Sequence, residues 1–313
     1  MIRCILALAA GLGQVLRAPL LVVAAVLAMM LAAAPFALPV ARELQASLAN
    51  QQPISLDAGE IDPEWWLEFR EHADGLVATF TPSIIGFAAP LSNLSALFDG
   101  TRRPLVLLGP YLLAIVVWSF LWGAALERFA HGSSRFGFFR AGANTFLRFF
   151  TISALAGVVV LLLYLTIHPL LFNVVARSLE ASAATERTAF IMRSVLYLIF
   201  GAVLVMISLV ADYARVAIVM GPASSAIDGL RQGARFVRRH PGSAVALYLL
   251  TGLLFVALLA VYGYVDVNGG LRVAGWRGIA IAQAYIAARL VIRLTFGASE
   301  VKLYRELAGV RES

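Results

Sequence analysis

Ala141-Gly142-Ala143-Asn144-Thr145-Phe146-Leu147-Arg148 leads directly into Phe149–Ala176, a run whose only charge is that of His168 when protonated. A helix crosses the roughly 30 Å hydrocarbon layer in about 20 mainly apolar residues, and there it must satisfy its own backbone hydrogen bonds. The run reads as a membrane crossing. Five further stretches meet the same test, and the six are placed at about 19–41, 104–126, 149–175, 191–213, 243–265 and 275–297. Composition agrees, with 61% hydrophobic and 14% charged residues and a mean hydropathy of +0.85, against about 25% charged residues in soluble domains.

The element in front of the third crossing recurs in front of the first and the fifth. The copies are Ala10-Gly11-Leu12-Gly13-Gln14-Val15-Leu16-Arg17 and Gln232-Gly233-Ala234-Arg235-Phe236-Val237-Arg238-Arg239. Glycine stands six residues before arginine each time, with Val15, Phe146 or Val237 between. If each copy introduces two crossings, the fold is an all-α polytopic membrane protein. It has six transmembrane helices as three pseudo-repeated hairpins, each with an interfacial lead-in helix, in a single membrane domain over 1–313.

Six crossings put both termini on one side. That side, counting Arg289 and Arg293 with the tail, holds 16 of the 25 basic residues and 6 of the 18 acids. Basic loops stay inside, so the expectation is a multi-pass protein of the bacterial inner membrane with both termini cytoplasmic. The near-exclusive use of arginine over lysine is the compositional ground for a bacterial source. The +7 net charge is then a rim suited to anionic headgroups rather than a nucleic-acid signature. Arg17 splits the N-terminal apolar run, and the stretch after it exceeds a signal core of 7–15 residues, so an uncleaved amphipathic lead-in is expected. The single cysteine, Cys4, excludes an intramolecular disulfide.

Residues 42–103 form an extracytoplasmic insertion, acidic first and apolar later. Asp57, Glu60, Asp62, Glu64, Glu68, Glu71 and Asp74 surround Trp65-Trp66, and Pro63 suits the first turn of a short helix. Adjacent tryptophans on a helix point about 100° apart, so one packs inward while the other sits at headgroup level. Phe80–Pro90 is too short and too broken by proline and glycine to span. It reads as a re-entrant or surface hairpin, or as a packed lid.

Ser225 and Asp228 make a capping box that opens a helix with Ile227, Leu230, Ala234 and Val237 on one side. Such a helix is expected to lie flat, with that face in the acyl boundary. Arg231, Arg235 and Arg238 on another side, and Arg135 and Arg140 among phenylalanines, are the expected contacts to lipid headgroups. Each even crossing ends near one acid, Glu127, Asp212 or Glu300, and each odd crossing begins with Arg17, Arg148 or Arg239. A ring of boundary pairs and six ordinary water-facing boundary residues are the two readings of these.

Ionisable groups deeper in the membrane are the functional-site candidates, because burying them is costly. Tyr285, Arg289, Arg293 and Glu300 share one stripe of crossing six, and Ser208, Asp212 and Arg215 share one of crossing four. An Asp212 pair with Arg289 or Arg293 fits either a fixed seam or a transport cavity. The histidines lack metal-ligand spacing. No metal, cofactor or catalytic residue is read.

The Gly-to-Arg lead-in, Asp212-Tyr213-Ala214-Arg215, and Ala234-Arg235-Phe236-Val237-Arg238-Arg239-His240-Pro241 resemble a group of bacterial six-helix inner-membrane proteins. That group is similar to the membrane domain fused to some glycerophosphodiester phosphodiesterases. The resemblance covers the membrane part without the 42–103 insertion. It implies a fold and a link to the envelope, and brings no catalytic residues. The expected role is non-enzymatic: a scaffold or accessory subunit of a larger membrane assembly, with a membrane-protein partner and anionic lipid. The alternative is a transporter of a lipid or small anion through a cavity lined by Asp212, Arg289 and Arg293.

Overall fold

A computed structural model describes residues 1–49, 63–80, 88–101, 104–132, 137–221, 223–268 and 276–309. Among these the chain is helical without strands, and six helices are long and apolar enough to cross a membrane: Pro19–Ser47, Leu105–His131, Gly137–Ser182, Glu186–Met220, Pro241–Val265 and Trp276–Ala308. In chain order the helices are α1 (Ile2–Leu16), α2 (Pro19–Ala49), α3 (Pro63–His72), α4 (Ala88–Phe98), α5 (Leu108–His131) and α6 (Gly137–Leu165). A single turn, α7 (Ile167–Pro169), a π-helical segment (Leu170–Val175) and α8 (Ala176–Ser182) continue the third crossing. Then come α9 (Glu186–Met220), α10 (Ala226–Arg239), α11 (Pro241–Val267) and α12 (Trp276–Ala308).

The even crossings α5, α9 and α12 touch pairwise and form an inner triangle. The odd crossings pack outside it, α2 against α5 and α12, α6 against α5 and α9, α11 against α9 and α12. Each lead-in lies on the end of an even crossing: α1 on α12, the first turns of α6 on α5, α10 on α9. The plan is threefold, and α1 closes it by joining the two ends of the chain.

The repeated glycine is what lets each lead-in approach. A Cβ on Gly233 would stand 2.5 Å from the Ala214 nitrogen and 2.7 Å from the Val210 oxygen, and one on Gly11 would meet Ser299 Oγ and, at 2.7 Å, the Thr295 oxygen. At Gly142 the ring of Phe120 takes the space, 2.9 Å away, while Thr145 fills the space at Gly123. Small residues allow such close helix packing where apolar lipid offers no hydrophobic drive.

Two lead-ins are separate helices and one is not. Arg17-Ala18-Pro19 and Arg239-His240-Pro241 put proline at the first position of α2 and α11. Its missing N–H and its clash with the carbonyl four residues back end the helix before it. The second copy continues Arg148-Phe149-Phe150, so α6 runs unbroken into the membrane.

One side of the third lead-in packs on protein. α10 runs antiparallel along α9, with Gly229 beside Ile218 and Gly233 beside Val210 and Ala214. Val237 is 1% exposed, and Phe236 lies between the rings of Tyr213 and Tyr304, 4.5 and 4.8 Å away. Of the apolar side expected to face lipid, Val237 is buried and Leu230 half-buried, whereas Ile227 and Ala234 are exposed.

The core sits toward the face that carries the termini, around Leu121–Phe129, Leu209–Val219 and Leu290–Tyr304. A 35-residue α9 is about 52 Å long, well over the roughly 30 Å of hydrocarbon. Its uncharged stretch lies between Arg193 and Asp212, which puts Asp212 and the turns after it at the boundary of that face.

On the opposite face, Trp65 is buried with Val40, Phe69 and Phe80 and donates to Ser47 Oγ at 3.0 Å, while Trp66 is half-buried. α4 ends in a Schellman turn: Gly100 has φ +63° and the Thr101 N–H reaches the Ala96 oxygen at 3.1 Å. Tyr164 OH and His168 Nε2 donate to the terminal carbonyls of Leu97 and Phe98. Residues 50–62, with Asp57, Glu60 and Asp62, and 81–87 of the expected hairpin lie outside the described residues.

Candidate functional site: a charged seam and a basic cavity

Asp212 is 3% exposed on α9. An ionised carboxylate there needs partners, because its desolvation costs several kcal/mol. Arg215, one turn along, donates through Nη1 to Asp212 Oδ1 at 2.6 Å, and its Nη2 reaches Ser153 Oγ on α6 at 3.2 Å. Arg293 of α12 brings Nη2 to 3.7 Å from the same carboxylate oxygen. Its guanidinium also lies over the Trp122 ring of α5, 5.1 Å from the centroid. One carboxylate and two arginines therefore tie α5, α6, α9 and α12 together.

Glu300 belongs to the same neighbourhood, within electrostatic range of Asp212, Arg215 and Arg293. It is 1% exposed, and neither of its oxygens has a hydrogen-bond partner among the described residues. Trp122 Nε1, Tyr213 OH and Thr295 Oγ1 are buried and unpartnered in the same sense. Of the two acids in this neighbourhood, the hydrogen bonds fall on Asp212.

The other seam candidates lie apart from that knot. Ser208 lies beside Tyr248 of α11. Tyr285 stacks on Tyr262 at 4.1 Å, and Arg289, exposed, covers the Tyr285 ring at 5.6 Å. Of the two arginines offered as partners for Asp212, Arg293 takes the place.

The six boundary charges do not join into one ring. Glu127 pairs with His131 at 2.9 Å. Arg148 donates to the carbonyls of Ala223 and Asn144, each at 3.2 Å, and Arg17 and Arg239 are exposed. Of the arginines expected at headgroups, Arg140, Arg231, Arg235 and Arg238 are exposed and Arg135 lies outside the described residues. Arg231 and Arg235 open onto a cavity of about 440 Å³ between α10 and the end of α12 that Arg238 does not line. Arg239, His240 and Tyr304 are also in its wall. The signal for Arg239 was in the sequence, at four-residue steps after Arg231 and Arg235; Tyr304, far along the chain, gave none.

Among the described residues no group of three or more His, Cys, Asp or Glu side chains is arranged to hold a metal ion. No family model matches the chain, and no curated protein or solved structure is detectably similar to it.

Proposed function

We propose that this integral membrane protein is a non-enzymatic scaffold or accessory subunit of a larger membrane assembly, set in a bacterial inner membrane with its termini and basic rim inside. The supporting observation is the closure of the Asp212–Arg215–Arg293 cluster on itself, among helices whose lead-ins are held at backbone distance by Gly11 and Gly233. Charges engaged in that way fix helices to one another. The exposed Arg140, Arg231, Arg235 and Arg238 then attract anionic lipid, at about 1 kcal/mol each near such a surface. Purification in mild detergent followed by mass spectrometry is expected to recover a stoichiometric membrane-protein partner with anionic lipid. Recovery of the chain alone, together with solute flux in proteoliposomes abolished by Asp212→Asn, would overturn the reading.

That second result belongs to the rival function, transport of a lipid or small anion past Asp212, Arg289 and Arg293. Two observations favour it: Glu300 is buried with both oxygens unpartnered, and Arg289 is exposed in the midst of an apolar crossing. A transporter requires the seam to open. A covalent cross-link between α9 and α12 that leaves Asp212 and Arg293 in place would stop flux and leave a subunit's partner bound.

A further inference from the structure

We propose that the cavity between α10 and the end of α12 is a binding site for a phosphate ester, held by Arg231, Arg235 and Arg239 with His240. The proposal rests on the reading that this face meets anionic lipid and names the site at which it does so. The three arginines stand at i, i+4 and i+8 on α10, so they share one side of the helix, and all line the cavity of about 440 Å³. The opposite side is locked: Gly229 and Gly233 touch the backbone of α9, and Phe236 is held between Tyr213 and Tyr304. The arginines therefore project from a fixed base.

Asp228 is the one acid in the wall, and its carboxylate accepts from Gln232 Nε2 at 3.1 Å. Among the described residues no ion pair joins an acid to Arg231, Arg235 or Arg239. Like charges four apart on a helix repel one another and destabilise it. An anion in the cavity removes that repulsion.

The repeat supplies an internal comparison. Counting from the shared glycine, the places of Arg231, Arg235 and Arg239 are held by Ala9, Gly13 and Arg17 in the first copy and by Arg140, Asn144 and Arg148 in the second. The first copy makes the same lead-in packing with one arginine of the three, so the fold does not require Arg231 or Arg235. In the second copy, Arg148 is committed to the Ala223 and Asn144 carbonyls. Only the third copy gathers three arginines around a cavity.

Guanidinium forks match the oxygens of phosphate, and several of them suit a group with three or four acceptor oxygens and more than one charge. A cavity of this volume falls in the range of small-ligand sites. Leu307 and Ala308 in its wall leave an apolar edge for the organic part of an ester. The source is either a phospholipid headgroup or a soluble phosphate compound.

The test uses the full chain in uncharged detergent, with phosphatidic acid and phosphatidylcholine as lipid probes in native mass spectrometry and inorganic phosphate as the soluble probe in thermal unfolding. One phosphatidic acid per chain is expected, preferred at least tenfold over phosphatidylcholine, if the source is a headgroup. A rise in Tm with millimolar phosphate is expected if it is soluble. Either response should fall at least tenfold in R231Q/R235Q/R239Q and persist in R238Q, on the same helix but outside the cavity. Should the triple variant fail to fold, R231Q alone carries the same expectation. A wild-type chain that answers neither probe, or a folded cavity variant that answers like the wild type, overturns the proposal. Partner recovery from the same preparations reports on the subunit reading separately.

Discussion

At Asp212 two arginines share one carboxylate, and the distances rank them: 2.6 Å to Arg215 and 3.7 Å to Arg293. Asp212→Asn leaves two guanidinium groups with a neutral acceptor in a buried place, and a loss of about 3–5 kcal/mol is expected, read as thermal unfolding in detergent. Replacing Asp212, Arg215, Arg293 and Glu300 together with apolar residues should cost much less than that single change, because no charge is then stranded. A double-mutant cycle should give Asp212 a larger coupling to Arg215 than to Arg293. Gly100 offers a second check. Its φ of +63° disfavours a side chain by about 1–2 kcal/mol, and a Cβ would stand 2.7 Å from the His168 ring. Gly100→Ala should loosen the end of α4, seen as faster hydrogen exchange over Ala88–Phe98 with the amides of α9 beyond Leu209 unchanged.

Along a single element the clearest contrast is within α1. Gly11 faces the backbone and hydroxyl of α12, whereas nothing lies within 4 Å of a Cβ on Gly13. Gly11→Ala should therefore lower the unfolding midpoint, while Gly13→Ala should raise stability by up to about 1 kcal/mol through helix propensity alone. Gly233→Ala should behave like Gly11→Ala, because the obstructing atoms are backbone and cannot turn aside. The spacing from glycine to arginine was legible in the sequence as a repeat, and Pro19 and Pro241 already marked where two copies must break. What the spacing could not give was the surface each glycine meets. An amphipathic helix presents the same stripe to lipid and to a neighbouring helix, so the sequence did not separate Val237, buried in protein, from Ile227 and Ala234, which stay exposed. The same limit applied to Asp212: helix period placed Arg215 beside it, but choosing Arg293 over Arg289 depended on how α9 and α12 cross.

For the molecule as a whole, the six crossings were legible because length and polarity alone decide them. The cap at the terminal face was not, since it joins residues from every part of the chain. In a background with Cys4 replaced, cysteines at Arg140, Arg238 and Glu306 should react with an impermeant thiol reagent from one side of the membrane, and cysteines at Glu71 and Arg187 from the other. Any position reacting from the wrong side removes the six-crossing plan. The seating of α1 on α12 also governs how the protein is made. α1 leaves the ribosome before all six crossings, while its seat emerges only with the last, so insertion into the bilayer proceeds without the clasp and closure waits for α12. Until then Gly11 and the surface around Ser299 are both bare, and a nascent chain is open to capture by a second copy or by a protease. Joining the two termini through a short linker and reopening the chain between α5 and α6 would bring clasp and seat together early, and such a permutant should reach the closed state with less loss during biogenesis.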